Sequence, residues 1–321
     1  MSAALLQAEG VAKHYPLKAA GFSSRKGLVL AVQDVSLGVA AGEVFGLVGE
    51  SGCGKSTLGR VLLRLEEPTA GRVIFDGADV SSFDRARLKQ FRREAQIVYQ
   101  DPYAALNPRR RIGELVAEPL DIHRVGTPAE RRERTAWLLQ VVGLLPEHAR
   151  RYPHEFSGGQ RQRIVIARAL ALNPRLLLAD EPVSALDVSI QAQVINLLKE
   201  LQARFQLTYL FISHDLSLVE YLCDRVAVMY LGRLVELAPR RDLYREPLHP
   251  YTQALLSAAP AAEPGARKHR ILLSGDVPSP INPPPGCPFH PRCRERREIC
   301  GTLIPEFREI APGRHVACHN R

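Results

Sequence analysis

Hydrophobic residues along this chain fall into short runs that are separated by longer stretches of helical periodicity. The short runs predict strands over residues 5–14, 29–39, 44–48, 71–76, 175–179, 208–212 and 226–230. Apolar side chains that recur every three or four positions predict helices from residue 54 onward and over residues 190–205 and 216–222. Strands and helices in alternation are typical of an α/β fold with a largely parallel sheet.

The pattern changes in two places. Residues 101–171 are rich in arginine, glutamate and leucine and are broken by prolines, which predicts a helical insert in the sheet domain. Beyond residue 260 the periodicity ends, and seven prolines lie between Pro278 and Pro291. We therefore expect an irregular tail that builds little core of its own.

Length and composition place the chain among globular proteins. It has 321 residues, of which 45% are hydrophobic and 24% charged, close to the averages for soluble domains. No apolar run approaches the roughly 18 residues of a membrane span, and the first ten residues lack a basic start followed by an apolar stretch. We expect a protein of the cytosol, where six cysteines are more consistent with thiols or metal ligands than with disulfides.

The net charge of +9 is less informative. Residues 85–134 and 239–321 each carry a surplus of five basic residues, but these are mixed with acidic ones. A nucleic-acid track would be more concentrated and interleaved with aromatic residues. We therefore expect no nucleic-acid partner.

The strand predicted over residues 44–48 ends in a glycine-rich turn that opens a helix, which is the context of a phosphate-binding loop. The glycines let backbone N–H groups surround phosphates, and the helix N-terminus adds positive potential. Lys55 would neutralise phosphate charge, Ser56 would offer a hydroxyl to Mg²⁺, and Cys53 would be a small spacer. The ATP-binding residues predicted here are Gly49, Glu50, Ser51, Gly52, Cys53, Gly54, Lys55, Ser56 and Thr57.

An acidic pair follows a second buried strand. Asp180 and Glu181 come directly after the apolar run at residues 176–179, which places them at the carboxyl edge of the sheet. There Asp180 would hold Mg²⁺ through water, and Glu181 would polarise the attacking water. Taken alone, such a pair is equally consistent with a solvated turn.

Further motifs accompany these two in a fixed order. Residues 156–163 read Phe-Ser-Gly-Gly-Gln-Arg-Gln-Arg, residues 184–187 read Ser-Ala-Leu-Asp, and Gln100 and His214 each follow an apolar run. The whole set resembles the motifs of ATP-binding-cassette (ABC) ATPases over about residues 5–240. Phe156 stands where many members have leucine, which exchanges one apolar residue for another.

The resemblance implies roles for these residues. Gln100 would contact Mg²⁺ and the attacking water, and His214 would contact the γ-phosphate and act with Glu181 in catalysis. Tyr15 would stack on adenine, and Asp187 would act across a dimer interface. The signature residues, which would reach the nucleotide of the opposite subunit, are Ser157, Gly158, Gly159 and Gln160.

The resemblance also implies the fold. It predicts a RecA-like α/β core with an antiparallel β subdomain and a helical subdomain. We expect an ABC ATPase domain over residues 1–240, with its helical part at about residues 101–171. A C-terminal extension that contains a cysteine cluster would occupy residues 241–321.

Several segments resemble the ATP-binding subunits of bacterial dipeptide and oligopeptide importers along nearly the whole chain. They include residues 46–55, 100–103, 106–109, 180–187, 249–252 and 278–287. Residues 17–28 are similar to a segment of the second of the two paralogous ATPases that such importers carry. The resemblance implies a heterodimer with a paralogous ATPase, bound to two membrane permeases that an extracytoplasmic binding protein supplies.

The chain would then lie at the cytoplasmic face of the bacterial inner membrane, attached through its protein partners. Two alternatives stay open. The same motor could serve a sister importer of nickel, glutathione or another small solute. A soluble ABC ATPase that acts on nucleic acid or ribosomes is disfavoured, because the chain has one cassette and no heptad run.

The tail contains four cysteines, spaced C-x5-C-x6-C-x17-C: Cys287, Cys293, Cys300 and Cys318. Four thiolates in a small loop-rich segment suit either a structural Zn²⁺ or an iron–sulfur cluster, and the spacing alone leaves the metal open. The resembled importers carry a [4Fe–4S] cluster on such a tail, so the resemblance favours that cluster. Cys223, outside this set, is expected to be buried in the core.

Overall fold

The structure is a computed structural model that describes residues 4–17, 27–258 and 271–321. The segment at residues 17–28, which resembles one of two paralogues, lies largely outside the described residues. The chain divides into two compact units. The first comprises Met1–Ala40, Val44–Ser81 and Ile212–Arg321, and the second comprises Ala41–Glu43 and Ser82–Phe211.

The described residues form strands in both units. In chain order they are β1 Ala4–Pro16, β2 Leu28–Ala40, β3 Val44–Val48, β4 Ala70–Phe75, β5 Ala78–Asp79, β6 Ala95–Val98, β7 Leu176–Asp180, β8 Thr208–Ser213, β9 Arg225–Tyr230, β10 Arg233–Pro239, β11 Arg308–Ala311 and β12 Arg314–Val316.

The helices lie between these strands and are concentrated in the second unit. They are α1 Lys55–Leu62, α2 Arg85–Glu94, α3 Pro102–Ala105, α4 Ile112–His123, α5 Pro128–Val141, α6 Gly158–Ala169, α7 Val188–Phe205, α8 Leu216–Leu222, α9 Arg240–Arg245 and α10 Pro250–Ala258. No helix of the described residues is long and apolar enough to cross a membrane.

The first unit contains an antiparallel sheet in the order β2–β1–β4–β5. A second set of strands runs β11–β12–β10–β9–β3, in which β3 and β9 are parallel and the other pairs are antiparallel. All five residues of β3 are buried, as expected for a continuous apolar run in a parallel pair. Cys223 is buried as predicted, at 1% exposure.

The second unit contains α2 to α7 and the strands β6, β7 and most of β8. Strands β6 and β7 are parallel, with Val98 opposite Ala179. Helix α5 begins with a capping box in which Thr127 and Glu130 satisfy each other's backbone N–H groups. Trp137 on α5 packs edge-on against Phe205 on α7. The helical segment predicted at about residues 101–171 belongs to this unit.

The tail has more structure than its sequence predicts. Strands β11 and β12 form a hairpin, and β12 pairs with β10 through Glu236 opposite Val316. Phe289 is 1% exposed and packs against Tyr230 and Tyr251. The described part of the tail, residues 271–321, therefore shares the sheet and the core of the first unit.

Candidate nucleotide-binding site

The predicted phosphate loop connects β3 to α1, and its shape requires glycine at two positions. Gly54 caps α1 with a φ of +107°, and a Cβ there would lie 2.1 Å from the carbonyl oxygen of Ala31. A Cβ on Gly49 would lie 2.2 Å from the carbonyl oxygen of Met229. Neighbouring backbone therefore closes around the loop and fixes its path.

Lys55 lies at the start of α1 and is almost fully buried. Its ammonium donates to the carbonyl oxygens of Gly49 at 2.9 Å and Glu50 at 3.0 Å. The first turn of α1 has no acidic residue, so no side chain there opposes an anion at the positive end of the helix. Phosphate oxygens could replace the two carbonyls as acceptors for Lys55.

Burial raises the pKa of the Cys53 thiol, and the side chain is only 5% exposed. A protonated, buried thiol is a poor nucleophile. This environment is consistent with the spacer role predicted for Cys53.

Two residues from outside the loop hold Glu50. Its N–H donates to the Tyr251 hydroxyl at 2.9 Å, and its carboxylate accepts two hydrogen bonds from Arg292 at 2.9 and 3.2 Å. The sequence predicts neither contact. Tyr251 belongs to the segment at residues 249–252 and Arg292 to the cysteine-containing tail, and no local pattern links them to the loop.

Tyr15, predicted to stack on adenine, lies near the end of β1. Its hydroxyl donates to the carboxylate of Glu66, which also accepts from Arg60 Nε at 2.7 Å. Burial and Glu66 together raise the pKa of Tyr15, while Thr57 in the first turn of α1 opposes this shift through a hydrogen bond. The structure thus places Tyr15 beside the loop, and Glu66 fixes its hydroxyl, a role that the sequence does not predict.

His214 directly follows β8 and is exposed. The next residue, Asp215, caps α8 by accepting from the N–H groups of Ser217 at 2.8 Å and Leu218 at 3.3 Å. The cap fixes the chain immediately after His214, so the histidine stands at a defined strand end.

In the second unit, the parallel strands β6 and β7 bring two predicted motifs together. Gln100 follows β6, and the acidic pair ends β7, where Asp180 is only 9% exposed. The Nε2 of Gln100 donates to Oε2 of Glu181 at 3.0 Å. Glu181 has a φ of +47°, a left-handed conformation that is costly for a residue with a Cβ and often occurs at functional sites.

The signature residues form the N-terminus of α6. Ser157 caps the helix, and Gln160 completes a capping box at 3.1 and 3.3 Å. Gly159 has no room for a side chain, because a Cβ would lie 2.3 Å from Cγ2 of Ile190 on α7. The start of α6 therefore packs directly against the start of α7.

Asp187 caps α7 and accepts from the Ser189 hydroxyl at 2.8 Å and the Ile190 N–H at 3.0 Å. These two hydrogen bonds hold the pKa of Asp187 below its usual value. Its side chain is exposed. Asp187 is thus ionised, ordered and accessible.

The four tail cysteines are all free thiols. Burial raises the pKa of Cys287 to about 11, with smaller contributions from Cys300, Cys293 and Cys318, which places the four near one another. However, the described residues contain no group of three or more His, Cys, Asp or Glu side chains that could hold a metal ion. The geometry therefore gives no support to the metal site that the sequence predicts.

Comparison with known families identifies two regions. Residues 32–184 match the model for the ABC transporter family. Residues 235–300 match the model for the oligopeptide/dipeptide transporter C-terminal region.

Curated relatives match along nearly the whole chain. The oligopeptide transport ATP-binding protein AppF of Bacillus subtilis is 54% identical over 318 residues, which cover 98% of this chain and 97% of AppF. A putative peptide import ATP-binding protein of Brucella ovis is 55% identical over 314 residues, with coverage of 98% and 97%.

Solved structures agree in fold. The dimeric cassette MJ0796, in a post-hydrolysis state bound to ADP and Pi, is 31% identical with a TM-score of 0.64. The match covers 74% of this chain and 99% of MJ0796. The structure of cbiO1 from Clostridium perfringens has the same TM-score at 27% identity, with coverage of 76% and 91%.

The family match and the solved structures identify an ATP-binding cassette of mixed α/β structure. The chain belongs to the ABC transporter family, in the group of peptide-transport ATP-binding proteins that carry the oligopeptide/dipeptide transporter C-terminal region. It is an ABC-type ATPase, a class that uses ATP with Mg²⁺.

Proposed function

We propose that this chain is the ATP-hydrolysing motor subunit of an importer for dipeptides or oligopeptides. The observation that carries the proposal is the agreement of two features. The phosphate loop presents a buried lysine at a helix N-terminus that lacks acidic residues. Relatives named for peptide transport match both the cassette and the C-terminal region.

In the first unit, residues 49–57 bind the phosphates of ATP. Lys55 exchanges the carbonyls of Gly49 and Glu50 for phosphate oxygens, and the backbone N–H groups at the start of α1 supply further donors. Tyr15 stacks on the adenine while Glu66 fixes its hydroxyl. The motif positions and the proximity of Tyr15 to Thr57 support this assignment.

In the second unit, Glu181 polarises the water that attacks the γ-phosphate. Gln100, already hydrogen-bonded to Glu181, orients that water. Ser56 would offer Mg²⁺ a hydroxyl, Gln100 would offer an amide oxygen, and Asp180 would hold the ion through a water; oxygen donors are what this ion prefers. When bound, Mg²⁺ neutralises charge on the phosphate oxygens. His214 contacts the γ-phosphate and holds it in place.

The signature acts on a nucleotide held by another subunit. Ser157, Gly158, Gly159 and Gln160 open α6, and such a helix N-terminus suits a phosphate. Asp187, ionised and exposed at the start of the adjacent α7, acts across the same interface. We infer a heterodimer with a paralogous ATPase.

Two membrane permeases would bind this heterodimer at the cytoplasmic face of the inner membrane. An extracytoplasmic binding protein would deliver the peptide to the permeases. The names of the relatives and the matched C-terminal region support this assembly.

We also propose that Cys287, Cys293, Cys300 and Cys318 bind a [4Fe–4S] cluster in the natural protein. The sequence supports this proposal, because four cysteines lie within residues 287–318 of the tail and none of them forms a disulfide. A cluster would have to displace the protons that burial favours on Cys287, Cys293 and Cys318, because it binds thiolates. Protein purified without oxygen should contain iron, sulfide and a visible chromophore. Stoichiometric zinc, or no metal at all, would exclude the cluster.

Glu181→Gln tests the motor function. The variant should bind ATP as tightly as the wild type but release phosphate at least about a hundredfold more slowly, since the base that polarises water is lost. It should also accumulate as an ATP-bound dimer with its partner. Glu133→Gln on the exposed face of α5 is the matched control and should keep full turnover. Unchanged hydrolysis in Glu181→Gln would remove Glu181 from this role.

A further inference from the structure

Glu50 is the only acidic residue of the phosphate loop, residues 49–54, and three of its groups are held. Its N–H donates to Tyr251, its carbonyl accepts from Lys55, and its carboxylate accepts from Arg292. Of these three contacts, the one with Lys55 must change when that lysine turns to a phosphate. The contacts with Tyr251 and Arg292 can persist.

The contact between Glu50 and Arg292 is a bidentate ion pair. Nη1 and Nη2 of the guanidinium reach the two carboxylate oxygens of Glu50 at 2.9 and 3.2 Å. The Arg292 side chain is only 8% exposed, and that of Glu50 is 26% exposed. A charge-assisted pair with this geometry and little solvent is stronger than an ordinary surface salt bridge.

Arg292 is itself anchored in the first unit. It ends a 3-10 turn, His290–Arg292, that follows the buried Phe289. Phe289 packs against Tyr251 at 5.4 Å between ring centroids, and Tyr251 is the residue that holds the Glu50 N–H. The same aromatic cluster thus positions both groups that hold Glu50.

The ion pair between Arg292 and Glu50 affects ATP binding through its charge. A triphosphate brings several negative charges to the loop, and an uncompensated Glu50 carboxylate would repel them. Arg292 neutralises that carboxylate and keeps the loop in one shape, which lowers the ordering cost of binding.

We propose that Arg292 is a positioning residue for the phosphate loop: by neutralising and fixing Glu50, the C-terminal segment sets the affinity of this chain for ATP. The inference rests on the proposed function of the loop. It assigns the tail a task in nucleotide binding that is separate from any metal on its cysteines.

The test measures the dissociation constant of ATP, together with thermal unfolding, for variants of the full chain. Arg292→Gln should weaken ATP binding about tenfold, because a charged hydrogen bond of this kind is lost and Glu50 is left unpaired. Glu50→Gln in the same chain should restore most of the affinity, because it removes the repelling charge. The ATP affinity of Arg292→Lys should lie between that of the wild type and that of Arg292→Gln, since lysine keeps the positive charge but cannot form the bidentate pair.

Arg294→Gln is the matched control. Arg294 lies two residues further along the tail, is 56% exposed, and contacts Gln253 and Glu295 instead of the loop. It should leave ATP binding unchanged.

Two results would overturn the inference. One is an Arg292→Gln variant that loses thermal stability but binds ATP like the wild type, because a merely structural role predicts that outcome. The other is a failure of Glu50→Gln to rescue affinity. If Arg292→Gln does not fold, the ATP affinity and thermal stability of Arg292→Lys and of Glu50→Gln, each compared with the wild type, test the inference in its place. Lys55→Ala distinguishes failure of this inference from failure of the proposed function. Retained ATP binding in that variant would refute the proposal that the loop binds ATP. Lost binding would leave only the role of Arg292 in question.

Discussion

Gly52 and Gly54 both have positive φ in the same loop, but their surroundings differ. A Cβ on Gly52, at a φ of +78°, would meet nothing within 4 Å, whereas one on Gly54 would meet the backbone of Ala31 at 2.1 Å. The conformation alone costs about 1 kcal/mol for alanine. A clash with backbone adds to this cost because the backbone cannot turn away.

We therefore expect Gly52→Ala to fold and bind ATP with a modest loss of stability. Gly54→Ala should displace the start of α1 and abolish ATP binding. Isothermal titration with ATP and thermal unfolding measure both effects. Equal behaviour of the two variants would contradict the role assigned to the close approach of Ala31.

His249 is fully buried, and burial, with a smaller effect of Arg321, lowers its pKa to about 3. The neutral ring accepts the Tyr251 N–H at Nδ1 at 3.1 Å. The unfolded chain, with an ordinary histidine pKa near 6.5, binds a proton that the folded chain does not bind between about pH 6.5 and pH 3. Stability attributable to this group is thus complete above about pH 6.5 and falls as the pH decreases.

The loss should steepen below pH 6.5 toward a limit of about 1.4 kcal/mol per pH unit, which applies once the histidine of the unfolded chain is fully protonated. His249→Asn keeps an acceptor for the Tyr251 N–H but does not titrate, so its stability should depend less on pH than that of the wild type. Urea unfolding at pH 7.0, 6.0 and 5.5 measures the slopes. His154→Asn, at an exposed position, should keep the wild-type slope. Equal slopes for His249→Asn and the wild type would refute this prediction.

At the scale of elements, the contact between α6 and α7 joins two motifs that are separate in sequence. Gly159→Ala should push Ile190 away and disturb both the signature and Asp187, which caps α7. We expect a loss of about 1–3 kcal/mol from overpacking and a lower rate of ATP hydrolysis. Ile190→Ala in the same chain should recover part of both, which thermal unfolding and phosphate release would show. Strict additivity of the two substitutions would mean that they are not coupled.

The elements that the sequence predicts are those with strong local patterns. Strand β3 is a continuous buried run found at its predicted bounds, and α8 also coincides with its prediction. The sequence does not predict α2, where Phe91 alone is buried on a very polar helix. Strand β6 has only four residues, and β11 is almost wholly exposed. Such elements form because a neighbouring strand or core packs against them. The spacing of hydrophobic residues within the element does not reveal that neighbour.

The residues of the candidate site likewise divide into those that local sequence patterns predict and those that they do not. The positions of motif residues such as Lys55, Glu181 and Ser157 follow from the sequence, because backbone geometry ties their spacing to a strand end or a helix start. Their roles in the site stay predictions. Arg292 cannot be predicted, because it reaches Glu50 across 242 positions of sequence and has no motif of its own. Only the folded chain brings the tail to the loop.

At the scale of the whole molecule, the tail is part of the core of the first unit. Phe289→Ala should destabilise the chain by about 3–5 kcal/mol, because a buried ring is lost from a cluster with Tyr230 and Tyr251. Ile310→Ala, at a tail position with 41% exposure, should change little. A nearly neutral Phe289→Ala would contradict the role assigned to this aromatic cluster in holding the tail.

Peptide uptake by proteoliposomes tests the proposed motor function most directly. They would contain this chain, its paralogous ATPase and their two permeases, with the binding protein and a labelled peptide outside. The proposed motor function predicts uptake that requires ATP inside the vesicle and that falls to background with Glu181→Gln in this chain. ATP-dependent uptake that Glu181→Gln leaves unchanged, or uptake of nickel or glutathione but of no peptide, would contradict it.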